Sequence, residues 1–413
     1  MTAYWIWLQV CLGTNAKTGE IMSLFESPHE IYKLTADEKR RCGAFTHTQL
    51  DRFKSFTLEN AEGILKRCRE NGWQVVTPDS GDYPALLREI PNYPPVLYAI
   101  GDLSCLRERL AIAVVGSRSA SESSINTAGQ LCLSLAKAGA VVVSGGALGV
   151  DSAAHAGAIH GGGRTVAVLG CGLNVPYLMQ NAELRGKIAE NGALVSEFLP
   201  DTPVYPANFP VRNRLISGMC HGTVVVEANE RSGSLITARH ALDQNRDVFA
   251  VPGSVTDPSF AGSNKLIRDG VKPLFSSDDL LVEYSSLLTG GADLLSVAQD
   301  DFTDIRFKAS EFVHVKHGDN SRSYRPQAAR AKPKAERPRE KEPAVYKKQK
   351  RALPDYISKE SAAVYGAFDI EPVSMDELVR GTGMEPNRIL QALTELEIYG
   401  FIMLIEGKRY TLL

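Results

Sequence analysis

Between residues 110 and 253, short apolar runs alternate with amphipathic stretches that follow glycine-rich turns. The runs AIAVV, AVVVS, TVAVLG, ALVSE, TVVVEA and DVFAVPG are rich in β-branched residues and almost free of charge. Strands buried on both faces have this composition, and joining them in parallel requires crossover helices. We therefore predict an α/β fold in which a doubly wound, mostly parallel sheet spans about residues 73–285.

The segments on either side of this region have different patterns. Residues 1–72 repeat apolar positions at helical spacing, which predicts a small helical domain. Between Lys316 and Arg351 the chain has 13 Lys and Arg residues against four Asp and Glu, with almost no large aliphatic residues. Such a stretch cannot bury enough apolar area to fold, so we predict a basic disordered linker over residues 286–352. A solvated tether without a function of its own is an equally good interpretation of that charge.

Residues 353–413 return to a compact pattern. Ser374 and Glu377 have the spacing of a capping box, Pro386 suits a first helical turn, and Gly407 with Lys408 separates two strand-like runs. Three helices followed by a hairpin indicate a winged helix. The apolar positions of its third helix are Ile389, Leu390, Leu393 and Leu396, and the outward positions are Asn387, Arg388, Gln391, Thr394 and Glu395. With one arginine on that face, sequence-specific reading of a major groove is disfavoured.

Composition excludes several classes of protein. Hydrophobic residues make up 44% and charged residues 23%, values that exclude a mostly disordered or membrane-embedded chain. Seven single cysteines without a CxxC pair indicate reduced thiols, and the N-terminal stretch lacks the basic segment of a signal peptide. We expect a cytoplasmic protein without a membrane segment, metal or cofactor. A net charge of −2 means that any surface for nucleic acid must be local.

Two glycine-bearing turns follow neighbouring predicted strands. At the carboxyl end of such strands, bare amides and helix dipoles favour an anion, and adjacent turns can form one phosphate-binding nest. Each turn is also consistent with an ordinary tight βα connection. Asp151 and His155, four residues apart on the next helix, either pair with each other or act as a cap and a core histidine. The residues of the two turns are Gly116, Ser117, Arg118, Ser144, Gly145 and Gly146.

The segment NFPVRNRLISG and the later NERSGSLITARHAL carry the densest set of candidate groups. Arginines near a helix start together with a phenylalanine that can stack on a base suit unpaired nucleic acid. Salt bridging within the sheet is the alternative role of Arg212 and Arg214. Hydroxyls and amides at a second helix start would add to the site, with further cations nearby. The candidates are Phe209, Arg212, Asn213, Arg214, Ser232, Gly233, Ser234, Thr237, Arg239 and Lys265.

These segments, in this order, resemble the DNA-processing protein A family (DprA, also called Smf). The resemblance covers about residues 75–285 through VVGSR, SGGALGVDSAAH, VLGCGLNVPY, NFPVRNR, VVVEANERSGSLITARHAL and DVFAVPG. It implies an extended Rossmann-like core that binds single-stranded DNA without sequence preference, dimerises, and helps to load the RecA recombinase during natural transformation. Single-strand-binding protein is a further expected partner. The resemblance also implies an N-terminal helical domain, of SAM or helix-hairpin-helix type, and a C-terminal winged helix.

Two enzyme classes compete with this interpretation. Nucleotide phosphoribohydrolases of the lysine-decarboxylase-like family share a related sheet but use PGGxGTxxE, and the matching place here holds ANERSGSLITARHAL. A dinucleotide-dependent oxidoreductase would need GxGxxG, which is absent. The chain also has no GxxxxGK[ST], GxSxG or HExxH motif. We therefore expect phosphate binding without catalysis, and release of free base from a nucleoside monophosphate would favour the hydrolase instead.

Overall fold

The computed structural model describes residues 1–107, 109–288, 358–368, 373–398, 402–405 and 409–412. These residues belong to two compact units, the first within residues 1–322 and the second within residues 323–413. Apart from residues 286–288, the predicted basic linker lies outside the described residues.

A nine-stranded sheet forms the centre of the first unit. Its strands are β1 (Gln74–Val76), β2 (Leu97–Gly101), β3 (Ala111–Val115), β4 (Val141–Ser144), β5 (Thr165–Val168), β6 (Gly192–Ser196), β7 (Gly222–Val225), β8 (Asp247–Ala250) and β9 (Lys272–Pro273). Their order in the sheet is β1-β2-β6-β5-β4-β3-β7-β8-β9. Neighbours from β6 to β9 are parallel, whereas β2 is antiparallel to both β1 and β6. The predicted mostly parallel, doubly wound sheet is confirmed.

The strand order reverses at β3. From β3 the chain proceeds outward through β4, β5 and β6, and then crosses to β7, β8 and β9 on the other side of β3. Connections that leave β3 and β7 therefore diverge, which opens a crevice at their carboxyl ends, where ligands of open α/β sheets bind.

Helices cover both faces of the sheet. Within residues 1–288, the α-helices are α1 (Thr2–Leu12), α2 (Thr18–Met22), α3 (Pro28–Lys33), α4 (Ala36–Arg41), α5 (His47–Ser55), α6 (Leu58–Glu70), α7 (Ala85–Arg88), α8 (Glu122–Lys137), α9 (Val150–His160), α10 (Ala182–Glu190), α11 (Asn208–Gly218), α12 (Gly233–Asp243), α13 (Ala261–Arg268) and α14 (Asp278–Glu283). Successive residues of β3 face opposite cores: Ile112 packs with Leu131 and Val150, and Ala113 packs with Leu215. Both faces are thus apolar, as the uninterrupted runs in the sequence require.

The N-terminal helices share their core with one face of the sheet. Helix α1 is apolar around its whole circumference and is almost entirely buried. Its one buried amide, Gln9, donates hydrogen bonds to the carbonyl oxygens of Val96 at 2.9 Å and Glu197 at 2.8 Å. The Tyr98 hydroxyl donates to the Gln9 amide oxygen at 3.0 Å. The predicted helical character of this region is therefore observed, while its SAM or helix-hairpin-helix type stays a prediction.

A fully buried ion pair joins this region to the rest of the unit. Arg214 of α11 donates two hydrogen bonds to the Glu197 carboxylate, at 3.2 and 2.6 Å, and a third to the side-chain oxygen of Asn15 at 3.0 Å. Burial raises the pKa of Glu197, and the neighbouring guanidinium opposes that rise. The two charges are stable in the interior because each satisfies the other.

The described residues of the second unit form three helices and a three-stranded sheet. They are α15 (Lys359–Gly366), β10 (Val373–Ser374), α16 (Met375–Thr382), α17 (Pro386–Ile398), β11 (Ile402–Ile405) and β12 (Arg409–Leu412), with the sheet order β10-β12-β11. The capping box of Ser374 and Glu377 is present. Helix α17 buries Ile389, Leu393 and Leu396 as predicted, and Arg388 and Gln391 are exposed. The predictions for the side chains of Asn387, Leu390, Thr394 and Glu395 fall on side chains that the structure does not describe. Residues 406–408 also lie outside the described residues.

The buried pair yields a first prediction. Arg214→Ala leaves the Glu197 carboxylate buried without a partner, so the free energy of unfolding should fall by about 3–5 kcal/mol in urea denaturation. Replacing both residues by methionine should recover part of that loss, because neither charge then remains. Arg107→Ala, which breaks the exposed pair of Arg107 with Asp82, should cost less than about 1 kcal/mol. Equal losses from Arg214→Ala and Arg107→Ala would contradict this account.

Candidate nucleic-acid interface

The turns after β3 and β4 are bonded into one backbone unit. The Val150 amide donates to the Ser117 carbonyl oxygen at 3.2 Å. Gly149, which caps α9, has a φ of +78°, and a Cβ there would overlap that same carbonyl oxygen. Only glycine permits so close a crossing of two backbones. The structure therefore brings Gly116, Ser117 and Arg118 together with the turn that contains Gly145 and Gly146.

Arg118 and Phe209 lie together at the surface of these turns. Arg118 is exposed, and its guanidinium carbon lies 5.2 Å from the centre of the half-buried Phe209 ring. The ring packs on Gly170 and lies 5.5 Å from the ring of Tyr177. Tyr177 was not among the sequence-predicted residues, although VLGCGLNVPY placed an aromatic residue after a strand end. The arrangement combines a forked cation with an aromatic face, the groups that bind a phosphate and a base.

Arg212 lies beneath this surface and supports it. Its guanidinium donates to the Gly145 carbonyl oxygen at 2.9 Å and to the Val168 carbonyl oxygen, at the ends of β4 and β5. Its guanidinium carbon is 5.7 Å from the Phe209 ring centre. Burial lowers its pKa to about 10, a fall that the negative charge of Asp151 opposes. A Cβ on residue 145 would crowd both the Asp151 carboxylate and this guanidinium, so the turn depends on glycine.

The rest of α11 extends inward from Phe209. The Asn213 amide donates to the Gly233 carbonyl oxygen at 3.2 Å, which ties α11 to the start of α12. Arg214 lies in the interior, paired with Glu197, so the structure does not bring it to the exposed surface. This is the salt-bridging alternative from the sequence. One helix thus contributes a surface ring, a buried cation beneath it and a buried ion pair farther along.

The start of α12 carries a set of hydroxyl groups. Ser232 caps the helix by accepting from the Ser234 amide at 3.4 Å, and the two hydroxyls are 2.7 Å apart. Ser234 and Thr237 are buried, whereas Gly233 and Arg239 are exposed. Lys265, on α13, is exposed as well.

Helix α13 is anchored close to the same strand end. The Gly262 amide near its start donates to the Ala228 carbonyl oxygen at 2.8 Å. Ala228 follows β7, the strand whose connection leads to α12. The candidate groups of α12 and α13 therefore belong to connections that leave one edge of the sheet.

Glu227 is a site residue that the sequence reasoning missed. Its buried carboxylate accepts from the amide and the hydroxyl of Ser121, the N-cap of α8, at 2.9 and 2.8 Å. Its carbonyl oxygen accepts from the Ser117 amide at 2.8 Å. A negative charge thus already lies at the start of α8, where the sequence pointed to an external anion. The available signal was Glu227 itself, a charged residue that interrupts the apolar run TVVVEA.

The hypothesis that Asp151 pairs with His155 is wrong, and both side chains have structural partners. Asp151 accepts from the Ala147 amide at 3.2 Å, and burial raises its pKa. The His155 ring nitrogen Nδ1 hydrogen-bonds the Thr165 hydroxyl at 2.7 Å inside the sheet. Burial lowers the pKa of His155 to about 3, so the imidazole is neutral.

Other kinds of site find little support within the described ranges. No group of three or more His, Cys, Asp or Glu side chains there could hold a metal ion. All seven cysteines are free thiols, as predicted, and burial raises the pKa of the Cys132 thiol. None of the described helices has the length and hydropathy needed to cross a membrane.

Comparison with known proteins gives two family matches. Residues 74–285 match the family model described as DNA recombination-mediator protein A, and residues 333–408 match the DprA winged helix domain. The predicted winged helix is thereby confirmed. The names of both families refer to DNA processing or recombination, and neither denotes an enzyme.

Individual relatives support the same assignment. Protein Smf of Synechocystis is 30% identical over 422 residues, covering 99% of this chain and 98% of that protein. DNA processing protein DprA of Bacillus subtilis is 40% identical over 220 residues, 53% of this chain and 74% of that protein. The crystal structure of DprA from Streptococcus pneumoniae matches with a TM-score of 0.60 and 31% identity, covering 68% of this chain and 98% of that one.

The neutral histidine yields a second prediction. Unfolding lets His155 take up a proton below about pH 6.5, whereas the folded chain resists protonation down to about pH 3. The unfolded state then binds more protons, so the free energy of unfolding should fall as the pH drops through this window, by up to about 1.4 kcal/mol per pH unit. His155→Gln should flatten this dependence in urea denaturation between about pH 7 and pH 5. The exposed control His47→Gln should keep it, and identical pH profiles for the two variants would refute the assignment.

Proposed function

The chain belongs to the DNA recombination-mediator protein A family, and we propose that it binds single-stranded DNA without sequence preference at the carboxyl ends of β3, β4 and β7. Its matched relatives are named as DNA processing proteins. The proposal assigns phosphate contacts to the joined turns after β3 and β4, and base stacking to Phe209.

The placement of Arg118 over Phe209 is the observation that carries this proposal. A guanidinium 5.2 Å from a half-buried aromatic ring offers a phosphate a forked, charge-assisted donor. The ring beside it offers a π face, which every base can stack on whatever its identity. Neither contact reads the edge of a base, so the binding we propose lacks sequence preference.

The same geometry favours a single strand over a duplex. Bases in a duplex are stacked on one another and cannot present a free face to a protein ring. Phe209 is a half-buried ring packed on Gly170 and Tyr177. An unpaired base can reach such a ring while its phosphate contacts Arg118.

We assign further candidate residues to three roles. Ser117, Gly233 and Arg239 would contact the strand directly, with Lys265 adding charge at the next connection, whereas Gly146 is buried and would only shape the turn. Arg212 and Asn213 position the site from beneath, through the carbonyl oxygens of Gly145 and Gly233. We assign Arg214 to the stability of the fold because its guanidinium already donates hydrogen bonds to Glu197 and Asn15.

We extend the proposal to cellular role on the strength of family membership. A cytoplasmic homodimer that delivers single-stranded DNA to RecA, with single-strand-binding protein on the same DNA, would account for the names of its relatives. None of the contacts described above supports the phosphoribohydrolase alternative. The carboxylates nearest the turns, Asp151 and Glu227, are buried and hydrogen-bonded to the Ala147 amide and to Ser121.

The phosphate assignment predicts a change in salt dependence. Arg118→Ala should weaken binding to a single-stranded oligonucleotide, and the plot of log affinity against log salt should become shallower by about 0.7, the value for one lost phosphate contact. Arg118→Lys keeps the charge and should keep the slope. Arg164→Ala is the matched control, because Arg164 is exposed but precedes β5 at the amino end of the sheet. An unchanged slope for Arg118→Ala would remove Arg118 from the site.

The stacking assignment predicts a change in strand preference. Phe209→Leu retains an apolar side chain but loses the ring, so single-strand affinity should fall by about 1–3 kcal/mol while duplex affinity changes little. Fluorescence anisotropy with matched single-stranded and duplex oligonucleotides measures both. Phe25→Leu replaces a half-buried ring in the N-terminal region and should alter neither. Equal losses on both DNA forms would contradict stacking.

The recombinase role predicts faster filament assembly. The protein should accelerate RecA assembly on DNA coated with single-strand-binding protein, because it would hold the strand open for nucleation. Arg118→Ala should reduce that acceleration in parallel with DNA affinity. A protein that binds the strand but leaves the RecA assembly rate unchanged would refute this role and leave the DNA-binding proposal standing.

A further inference from the structure

The N-terminal helices enclose an open pocket of about 400 Å³ that lies outside the candidate nucleic-acid interface. Its walls include Trp7 of α1, Tyr32 of α3, Phe53 of α5 and Phe56 just after α5, together with two lysines, Lys39 and Lys54. We call it the aromatic pocket. Its volume falls in the range of pockets that hold small ligands or a single anchoring side chain.

The side chains of the aromatic pocket are held in place from behind. The Trp7 indole donates to the Phe56 carbonyl oxygen at 3.0 Å, and its ring lies 5.1 Å from Tyr32 and 5.0 Å from Phe53. These contacts fix the rings before anything enters. Tyr32 nevertheless remains 39% exposed, and Phe53 and Phe56 are half-buried. A rigid, partly exposed aromatic wall lowers the entropic cost of binding an apolar group.

A buried cation lines the same pocket. Lys39 is 6% exposed, and its ammonium lies 5.9 Å from the Trp7 ring centre and 5.6 Å from that of Phe53. It donates to the Tyr32 carbonyl oxygen at 3.4 Å and to the Leu34 carbonyl oxygen. Among the described residues no carboxylate forms an ion pair with it. Carbonyl oxygens stabilise an ammonium only in part, so a carboxylate that entered would gain a strong partner.

The rim of the pocket limits how much negative charge it accepts. Lys54 and Arg40 line it, but each pairs with an exposed carboxylate three residues away, Asp51 at 3.0 Å and Asp37 at 3.5 Å. Two of the three cations are thus paired with carboxylates, whereas Lys39 forms no ion pair among the described residues and feels the more distant charge of Glu38. A single carboxylate next to an apolar group matches this balance, whereas the successive phosphates of a DNA strand would meet Asp37 and Asp51.

From this geometry we propose that the aromatic pocket is a docking site for a peptide segment of a partner protein, in which a large apolar side chain stands beside one carboxylate. The apolar side chain would occupy the space between the rings of Trp7, Tyr32 and Phe53. The carboxylate would approach Lys39 and Lys54.

The probe that tests this is a set of fluorescein-labelled peptides, Gly-Ser-X-Asp-Ser-Gly, in which X is Trp, Phe, Leu or Ala. We expect the full-length protein to bind at least one of the first three, the Ala peptide to bind at least about tenfold more weakly, and Asn in place of Asp to weaken binding by at least about fivefold. Absence of binding by every peptide up to about 1 mM would overturn the proposal, as would equal binding of the Asp and Asn forms.

A matched pair of charge reversals locates the site. Lys54→Glu and Lys17→Glu both replace an exposed lysine that pairs with a carboxylate three residues away, Asp51 at 3.0 Å and Glu20 at 2.9 Å, but only Lys54 lines the pocket. Peptide affinity should fall at least about fivefold in Lys54→Glu and stay unchanged in Lys17→Glu. Equal effects would place the peptide elsewhere.

Competition with DNA separates this proposal from the function proposed above. Saturating single-stranded oligothymidine should leave peptide binding to the wild-type protein unchanged, because the aromatic pocket is formed by α1, α3, α4 and α5. Displacement of the peptide by the oligonucleotide would show that the pocket is a nucleic-acid site and would overturn the peptide assignment. Arg118→Ala should bind the peptide normally even if it loses DNA.

Discussion

The candidate site depends on one buried cation. Arg212 lies inside the protein with its guanidinium on the carbonyl oxygens that end β4 and β5, and the carboxylate of Asp151 opposes the loss of its charge. A cation in such a place is costly unless its hydrogen bonds are satisfied, and here the backbone of two turns satisfies them. Movement of either turn would therefore break a hydrogen bond of the Arg212 guanidinium. The exposed Arg118 and the half-buried Phe209 therefore lie on a rigid base.

Much of the architecture follows from the sequence because the apolar runs have only one stable arrangement. Strands such as AIAVV and TVVVEA must be covered on both faces, which fixes crossover helices and a mostly parallel sheet. The capping box at Ser374 and the apolar positions Ile389, Leu393 and Leu396 of α17 are local patterns, and they too appear as predicted. Local periodicity and burial carry this information without reference to distant residues.

The site was less accessible to sequence reasoning because its roles are decided by contacts between distant segments. Arg212 and Arg214 look equivalent in the motif, but a helix turns them toward different neighbours, Gly145 for one and Glu197 for the other. In the sequence Glu227 is simply the residue that follows a strand. Its hydrogen bond with Ser121 joins segments more than 100 residues apart and becomes visible only in the fold. Asp151 and His155 have the spacing of a helical pair, yet each finds a better partner in the sheet or the preceding turn. Spacing along one helix could not reveal those competitors.

The hydrogen bonds that attach the N-terminal helices to the sheet also limit how early the chain can finish folding during synthesis. Gln9 bonds to Glu197 across 188 residues of sequence, and Asn15 bonds to Arg214 across 199. During synthesis at about 5–20 residues per second, these partners emerge roughly 10–40 s after the first helices. Helix α1 packs against α5 and α6 of its own region, but the side that carries Gln9 waits for Glu197. One side of the first helix made is thus among the last parts of the chain to find its hydrogen-bond partners.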